Sequence, residues 1–357
     1  MRASFTALGG WPGVLGRLIA GRSLDADEGE AVLDQVLEGE ATEAQVAAFA
    51  VALRMKGETV AEMHGFVRAM LAHAEPVVID GELLDVVGTG GDRLGSINVS
   101  TLAALIAAGA GVPVCKHGNR AASSSVGTAD VLEALGVVPD LGPAGVAACV
   151  AEAGMGFCFA PRFHPGFRHV GLVRRQLGVP TVFNFLGPLA NPARVRRQLV
   201  GVSDPTMAEK MAGVLGENGS DRAMVLFADD GLDELSVTAP STVIEVKGDG
   251  AAYELSTWRL DAAELGLPRA AMSELTGGDA AFNAGAIRAV LDGKAGAHRD
   301  IGVLNAAAAL MVAGRVPDLA DGLELARESI DSGWATGVLE RLVATSRRMA
   351  ASEAGPT

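Results

Sequence analysis

Apolar residues recur at helical spacing over the first 77 positions, where three segments carry an apolar face of the kind that helices pack together. Each segment begins with a capping box, in which a side-chain cap precedes a carboxylate or amide by three positions. These pairs are Asp25 with Glu28, Thr42 with Gln45, and Thr59 with Glu62. Because short linkers join antiparallel helices, the pattern predicts a small helical domain over residues 1–77.

From residue 78 to 350, short apolar runs alternate with helical patterns, which is typical of a mostly parallel sheet with helices on its faces. The predicted strands cover residues 83–87, 112–115, 157–159, 198–202, 223–228 and 242–246. Predicted helices include 168–177, 280–291, 302–313, 319–330 and 336–349, and residues 351–357 are expected to form a frayed tail. The fold class is therefore α/β, with a small helical N-terminal domain and a large domain whose mostly parallel central sheet is flanked by helices.

A glycine-rich sequence, GTGGD, follows the first predicted strand at residues 88–92. Residues without a Cβ let backbone N–H groups approach an anion closely. Asn98, Ser100 and Thr101 then open the next helix, where free amides and the helix dipole favour negative charge. The alternative is an ordinary tight turn, because the spacing matches neither the dinucleotide-binding motif nor the P-loop.

A second polar loop follows the next predicted strand. It begins with KHGNR at residues 116–120 and continues through Ser123, Ser124 and Ser125 to Thr128. Loops at the carboxyl ends of neighbouring parallel strands lie side by side, so the pair predicts a ligand with phosphates at two places. An exposed surface turn is the alternative for this loop.

An acidic cluster at residues 229–234 follows the apolar run 224–227. Adjacent carboxylates suit Mg²⁺, which takes few protein oxygens and completes its shell with water and phosphate oxygens. The alternative is a solvated acidic turn.

Composition narrows the function classes. The 357 residues have a net charge of −14, which argues against a broad nucleic-acid footprint. The three cysteines, Cys115, Cys149 and Cys158, lack metal-ligand spacing, which favours reduced thiols in a cytoplasmic protein. No apolar run reaches the length of a membrane span, and the first residues lack the ordered regions of a signal peptide. We therefore expect a soluble, cytoplasmic protein.

The motif set resembles the anthranilate phosphoribosyltransferases. The resemblance covers nearly the whole chain and rests on segments that occur in the family's order: GEATEAQVAAFAVALRMKGET, GTGGD, NVST, KHGNRAASS, FAPRFHP, GVPTVFNFLGPLANP, DGLDE, FNAGAIRAVLDG and IGVLNAAAAL. It implies transfer of the phosphoribosyl group of 5-phosphoribosyl-1-diphosphate (PRPP) to anthranilate in tryptophan biosynthesis, with Mg²⁺ as cofactor. It also implies a homodimer joined through the helical domain, and a helical domain completed by part of residues 167–197.

The resemblance assigns site residues by position in the motifs. Those implied for PRPP are Gly88, Gly91, Asp92, Ser96, Asn98, Val99, Ser100, Thr101, Lys116, His117, Gly118, Asn119, Arg120, Ala121, Ala122, Ser123, Ser124 and Thr128. Those implied for anthranilate are Gly88, Asn119 and Arg174, and those for the metal are Ser100, Asp233 and Glu234. No residue is assigned as a catalytic base. His117 and His164 are interpreted as structural or substrate-lining residues.

One position departs from the family pattern, because Val126 stands where a serine is common. We hypothesise that Val126→Ser lowers the KM for PRPP, unless the position faces away from the ligand. Three rival functions remain open at this point. They are a pyrimidine nucleoside phosphorylase on the same fold, a non-catalytic relative that binds nucleic acid, and the same reaction serving specialised metabolism.

Overall fold

The computed structural model describes residues 4–92, 94–121, 126–250 and 252–354. Three of the predicted PRPP ligands, Ala122, Ser123 and Ser124, lie outside these residues.

The four N-terminal helices are α1 (Gly10–Ile19), α2 (Ala26–Leu37), α3 (Glu43–Lys56) and α4 (Val60–Ala72). The three predicted capping boxes are confirmed. In each of them the cap side chain accepts from the backbone N–H three residues on, and the side chain of that residue accepts from the N–H of the cap residue. The sequence pattern therefore predicted where α2, α3 and α4 begin.

A seven-stranded sheet forms the centre of the larger part of the molecule. Its strands are β1 (Leu84–Gly88), β2 (Val114–Gly118), β3 (Met155–Phe159), β4 (Arg197–Gly201), β5 (Arg222–Ala228), β6 (Ser241–Gly248) and β7 (Tyr253–Leu260), in the order β3-β2-β1-β4-β5-β6-β7. The first five pair in parallel, whereas β6 pairs antiparallel with both β5 and β7. The sequence pattern missed β7, because this edge strand is largely exposed and has no apolar run.

The helices of this part of the chain are α5 (Val99–Gly109), α6 (Thr128–Ala134), α7 (Pro143–Ala153), α8 (Ala160–Phe163), α9 (Arg168–Leu177), α10 (Pro205–Glu217), α11 (Ala280–Leu291), α12 (Ala297–Val312), α13 (Leu319–Asp331) and α14 (Trp334–Glu353). The frayed tail predicted from residue 351 is wrong for residues 351–353, since α14 continues to Glu353, and residues 355–357 lie outside the described part of the chain. The Gly142 N–H donates a bifurcated hydrogen bond to the two carboxylate oxygens of Glu353, which anchors the end of the helix.

Side chains alternate across the sheet and divide the interior into two cores. Val86, Leu199 and Met224 face a core that includes α5 and α12, whereas their neighbours Val87 and Val200 face a second one. The second core also contains α10 and the four N-terminal helices. One face of the sheet is thus continuous with the interior of the helical region.

The segment around α9 returns to the N-terminal helices. Val170, Val173 and Phe183 are buried in the same core as α1 to α4, and α9 contacts both α2 and α3. Among the described residues, no helix is both long and apolar enough to cross a membrane.

Candidate active site

The GTGGD loop leaves β1 at the carboxyl edge of the sheet and is held by its neighbours. The N–H of Thr89 donates to the Gly201 carbonyl at 2.9 Å, and the Ser203 hydroxyl donates to the Gly90 carbonyl at 2.8 Å. Gly90 and Gly91 have φ angles of +65° and +86°, a region that strongly favours glycine. Backbone conformation therefore favours glycine at these two positions.

The acidic pair meets this loop directly. The Gly90 N–H donates to Asp233 Oδ2 at 2.7 Å, and a Cβ at Gly88 would lie 2.6 Å from the same oxygen. The Ser100 backbone N–H, in the first turn of α5, donates to Glu234. Residues predicted from three separate motifs are thus brought together at the carboxyl ends of β1 and β5.

Negative charge is in excess at this point. Asp233 is only 8 % exposed, and burial together with the nearby Asp92 raises its pKa to about 6. Burial and the charge of Asp233 raise the pKa of Glu234 as well. A carboxyl group whose pKa is raised in this way gains from a neighbouring cation, because the cation stabilises the ionised form.

Lys116 places a positive charge close to the end of β1 and to Ser100. It lies in β2 and is almost completely buried, with its ammonium group donating to the Val86 carbonyl and, at 3.2 Å, to Ser100 Oγ. Burial lowers its pKa, whereas Asp85, Glu234 and Asp233 act in the opposite direction. The lysine therefore lies beneath Ser100, not in the exposed second loop.

The remaining predicted PRPP ligands on this side differ in exposure. Gly91, Asp92, Ser96 and Asn98 are half-buried near the carboxyl edge of the sheet. Val99 and Thr101 are buried in the core, so only their backbone atoms could contact a ligand.

The second loop leaves β2 at Gly118. Asp130, in α6, ties its two ends together by accepting from the N–H groups of Ala121 at 3.0 Å and Gly127 at 2.9 Å. Asn119 and Ala121 are exposed, whereas Gly118 and Thr128 are half-buried.

The charged side chain of Arg120, in this second loop, is paired with two carboxylates. Arg120 donates to Asp130 at 2.9 Å and to both carboxylate oxygens of Glu133 at 2.6 Å, and its guanidinium lies over the Phe159 ring. These pairs lower the pKa of Glu133 and, together with backbone N–H donors, that of Asp130. In this conformation the predicted ligand Arg120 is bound to α6.

His117 is buried behind the loops. Its ring donates to the Gly187 carbonyl and lies 5.2 Å from the ring of His164, which donates to Ala190. Burial lowers the pKa of His117 to about 3, so the ring is neutral at physiological pH. These contacts favour a structural role for both histidines.

Arg174 lies on α9 in the segment that packs against the N-terminal helices. Its side chain is half-buried, and burial lowers its pKa. Within the described part of the chain, its guanidinium has no hydrogen-bond or ion-pair partner. A partly desolvated guanidinium without a partner is suited to bind a carboxylate in bidentate fashion.

Two family models match the chain. Residues 80–336 match the α/β domain of a glycosyl transferase family, and residues 12–74 match the helical bundle domain of the same family. The anthranilate phosphoribosyltransferase of Thermomicrobium roseum is 53 % identical over 95 % of this chain and 98 % of its own length. That of an Arthrobacter strain is 53 % identical over 97 % and 99 %. The chain belongs to the anthranilate phosphoribosyltransferase family.

Solved structures of family members have the same fold. The Thermus thermophilus enzyme superimposes with a TM-score of 0.87 at 42 % identity, covering 94 % of this chain and 99 % of that one. The Saccharomyces cerevisiae enzyme, determined in complex with PRPP and Mg, gives 0.85 at 27 % identity, covering 95 % and 98 %.

The residues present fit a magnesium ion such as the one bound with PRPP in the Saccharomyces cerevisiae structure. The described residues contain no group of three or more histidine, cysteine or acidic side chains that could hold a metal. Mg²⁺ needs only one or two protein carboxylates when phosphate oxygens and water complete its shell. The raised pKa values of Asp233 and Glu234 indicate a site that a cation would stabilise.

Several buried polar residues support the site and were not found from the sequence. Asp85 accepts from the His117 N–H at 3.1 Å and from Asn191 at 2.9 Å, and burial raises its pKa to about 6. Asn305, in α12, bonds both the N–H and the carbonyl of Leu235, next to the acidic pair. A polar residue inside an apolar strand, as in the sequence LLDVVG, was the available signal for Asp85.

Proposed function

We propose that the protein transfers the phosphoribosyl group of PRPP to anthranilate, giving N-(5-phosphoribosyl)anthranilate and pyrophosphate, in tryptophan biosynthesis. The observation that carries this proposal is the junction of the GTGGD loop, the first turn of α5 and the Asp233–Glu234 pair at one edge of the sheet. Family membership supplies the substrates.

The reaction mainly requires positioning and charge neutralisation. Phosphoribosyl transfer passes through an oxocarbenium-like state as pyrophosphate leaves, and groups that stabilise the leaving charge lower the barrier. Bound Mg²⁺ supplies positive charge to the phosphate oxygens. Asp233, Glu234 and Ser100 would hold the ion, and the ammonium group of Lys116 adds positive charge beside Ser100.

Anthranilate needs to be oriented but needs no base before it attacks, because its aromatic amine is neutral and carries a free lone pair. Arg174 would bind the carboxylate, and Gly88 and Asn119 would lie beside the substrate. The low pKa of His117 supports this scheme, since a ring buried and bonded to Gly187 is poorly placed to move a proton.

The reaction is tested by loss of anthranilate fluorescence with PRPP and Mg²⁺, repeated with EDTA and with the double variant Asp233→Asn/Glu234→Gln. We expect loss that depends on the metal and falls by roughly a hundredfold or more in the double variant. A folded protein that leaves anthranilate unchanged in every condition would contradict the proposal. Phosphorolysis of pyrimidine nucleosides by orthophosphate without Mg²⁺ would identify the rival enzyme.

We also propose a homodimer joined through the helical region. Exposed large apolar side chains concentrate on α1, α3 and α9 and just beyond α9, namely Ile19, Val51, Met55, Leu172 and Val179. Helix α3 contacts both α1 and α9, and exposed apolar side chains on neighbouring helices mark interaction surfaces. Light scattering should give twice the chain mass for the parent and one chain mass for Met55→Glu, whose side chain is 84 % exposed in the single chain. A dimer of unchanged stability in Met55→Glu would place the interface elsewhere.

The division of the chain is part of the same proposal. We assign residues 1–77, with part of residues 167–197, to a helical domain, and residues 78–350 to a PRPP-binding domain. The shared core of α9 and α1 to α4 supports the first assignment. We infer a cytoplasmic location, because a biosynthetic enzyme must meet phosphorylated substrates that membranes retain.

A further inference from the structure

Three successive hydrogen bonds connect the C-terminal part of the molecule to the start of α5 and to the end of the second loop. The Gly278 N–H donates to Asn283 Oδ1 at 2.8 Å, and Asn283 Nδ2 donates to Asn98 Oδ1 at 3.0 Å. Asn98 Nδ2 then donates to the Val126 carbonyl at 3.2 Å. Asn98 is the N-cap residue of α5, and Val126 lies just before Gly127 and Thr128 at the end of the second loop.

The donor and acceptor roles in these three hydrogen bonds are fixed by the backbone groups at both ends. A backbone N–H only donates, so the atom of Asn283 that faces Gly278 must be its oxygen. Asn283 therefore presents its amide N–H to Asn98, and Asn98 presents its own N–H to Val126, whose carbonyl only accepts. Reversing either side chain would place two acceptors or two donors against each other.

The residues just before α11, which carries Asn283, form backbone hydrogen bonds with the residues just before α5. The Ile97 N–H donates to the Leu275 carbonyl at 3.2 Å, and the Gly277 N–H donates to the Gly95 carbonyl at 2.7 Å. A Cβ at Gly277 would lie 2.7 Å from Asn283 Oδ1 and 2.8 Å from the Ser96 carbonyl oxygen. Glycine at this position permits the close approach, and Asn283 is only 1 % exposed.

We propose that Asn283 is a positioning residue for PRPP binding: it orients the Asn98 carboxamide, which holds Val126, at the end of the second loop, relative to the first turn of α5. The proposal rests on the function proposed above, since it assumes that the first turn of α5 and the second loop bind the same substrate. Asn283 itself need not touch the substrate. Its effect reaches the ligand through Asn98 and through the position of Val126.

An isosteric substitution separates this role from simple packing. Asn283→Asp keeps the volume and the bond from Gly278, but it places a carboxylate oxygen opposite Asn98 Oδ1. Asn98 must then lose that bond or turn its oxygen towards the Val126 carbonyl, and both responses weaken the connection between the loops. Ser329→Ala is the matched control, because it removes a buried hydrogen bond from the Ser329 hydroxyl to the Ile106 carbonyl, at the opposite end of α5.

The first measurement is amide hydrogen exchange of the full, ligand-free chain over residues 119–131. We expect exchange about tenfold faster in Asn283→Asp at Gly127 and Ala129, whose N–H groups bond to Asp130 and Asn119. Ser329→Ala should leave this segment unchanged. Equal exchange in the parent and in folded Asn283→Asp would overturn the proposal, and this result does not depend on any enzymatic activity.

The second measurement is steady-state kinetics for both substrates. We expect the KM for PRPP to rise about tenfold in Asn283→Asp, which corresponds to about 1.4 kcal/mol. The KM for anthranilate should stay within about twofold. Proportional changes in both constants, or changes equal to those of Ser329→Ala, would show a merely structural role. If Asn283→Asp does not fold, Asn283→Ser provides the same two readouts. A parent protein that does not transfer phosphoribosyl groups would refute the proposed function alone.

Discussion

The two loops of the site are built on neighbouring strands but are stabilised in opposite ways. The first is held by close backbone contacts around buried carboxylates, and its negative charge is only partly compensated by Lys116. The second is tied at its ends by the Asp130 side chain, and its exposed Arg120 is paired with Asp130 and Glu133. We propose that the two loops bind different groups: the carboxylates beside the first loop would bind a cation, and Arg120 of the second loop would exchange its internal ion pairs for a phosphate.

The largest expected effect comes from the glycines that end β1 and β2, which occupy equivalent positions in the two loops. A Cβ at Gly88 would displace Asp233 Oδ2 from the Gly90 amide, whereas a Cβ at Gly118 would meet Phe157 and Thr128 at 3.0 and 3.2 Å. We expect Gly88→Ala to lower kcat/KM by roughly a hundredfold, because moving a binding group by about 1 Å reduces the rate by a factor of this size.

Gly118→Ala is the matched control and should lower kcat/KM by less than about fivefold, since the neighbouring side chains can adjust by a few tenths of an ångström. Both variants are compared at saturating Mg²⁺, with thermal unfolding as a check on folding. Equal losses would mean that the second loop accommodates a Cβ no better than the first.

An intermediate effect is expected in the pH dependence of stability. The pKa of Asp233 rises from 3.8 to about 6 on folding, so this group favours the folded state below about pH 4 and loses that contribution as the pH rises through 6. Asp233→Asn should therefore become more stable relative to the parent between about pH 4 and 7, by up to about 3 kcal/mol.

The measurement is chemical unfolding of both proteins in EDTA across this pH range. Because His117, His164 and Asp85 titrate in both proteins, the difference between parent and variant reports Asp233 together with Glu234, whose pKa is raised by the charge of Asp233. Added Mg²⁺ should stabilise the parent at pH 7 and have less effect on Asp233→Asn. Parallel pH curves for the two proteins would show that Asp233 carries no unusual pKa.

The smallest effect is expected at Val126 in the second loop. Its side chain is 8 % exposed and packs in the core that includes α5 and α12. This burial favours the interpretation that the position faces away from the ligand. Val126→Ser should therefore change the KM for PRPP by less than about twofold while lowering stability by about 1–2 kcal/mol. A clear fall in this KM, with stability unchanged, would support the original hypothesis that the missing hydroxyl weakens phosphate binding.

Local sequence signals predicted much of the fold. Helix α9 has the predicted bounds, as does α11, and the capping boxes placed three helix starts, because caps and apolar periodicity act within a few residues. Strand β7 was missed because it is stabilised by antiparallel pairing with β6, and its own sequence contains no apolar run.

The site was predictable only as a set of motifs. Which residues meet depends on tertiary contacts, so neither the pairing of Arg120 with Glu133 nor the hydrogen bond from Asn283 to Asn98 could be inferred from spacing. Both pairs involve residues that are ordinary in sequence and acquire a role only when distant segments pack together.

The return of α9 to the N-terminal helices has a consequence for protein synthesis. Helices α1 to α4 leave the ribosome well before Val170, Val173 and Phe183, which complete their shared core. Until those residues have been made, the apolar faces of the first helices have no final partner in the chain. A nascent chain that stalls after the first strand would therefore expose to chaperones the surfaces of α2 and α3 that α9 covers, although every residue of the four helices is already present.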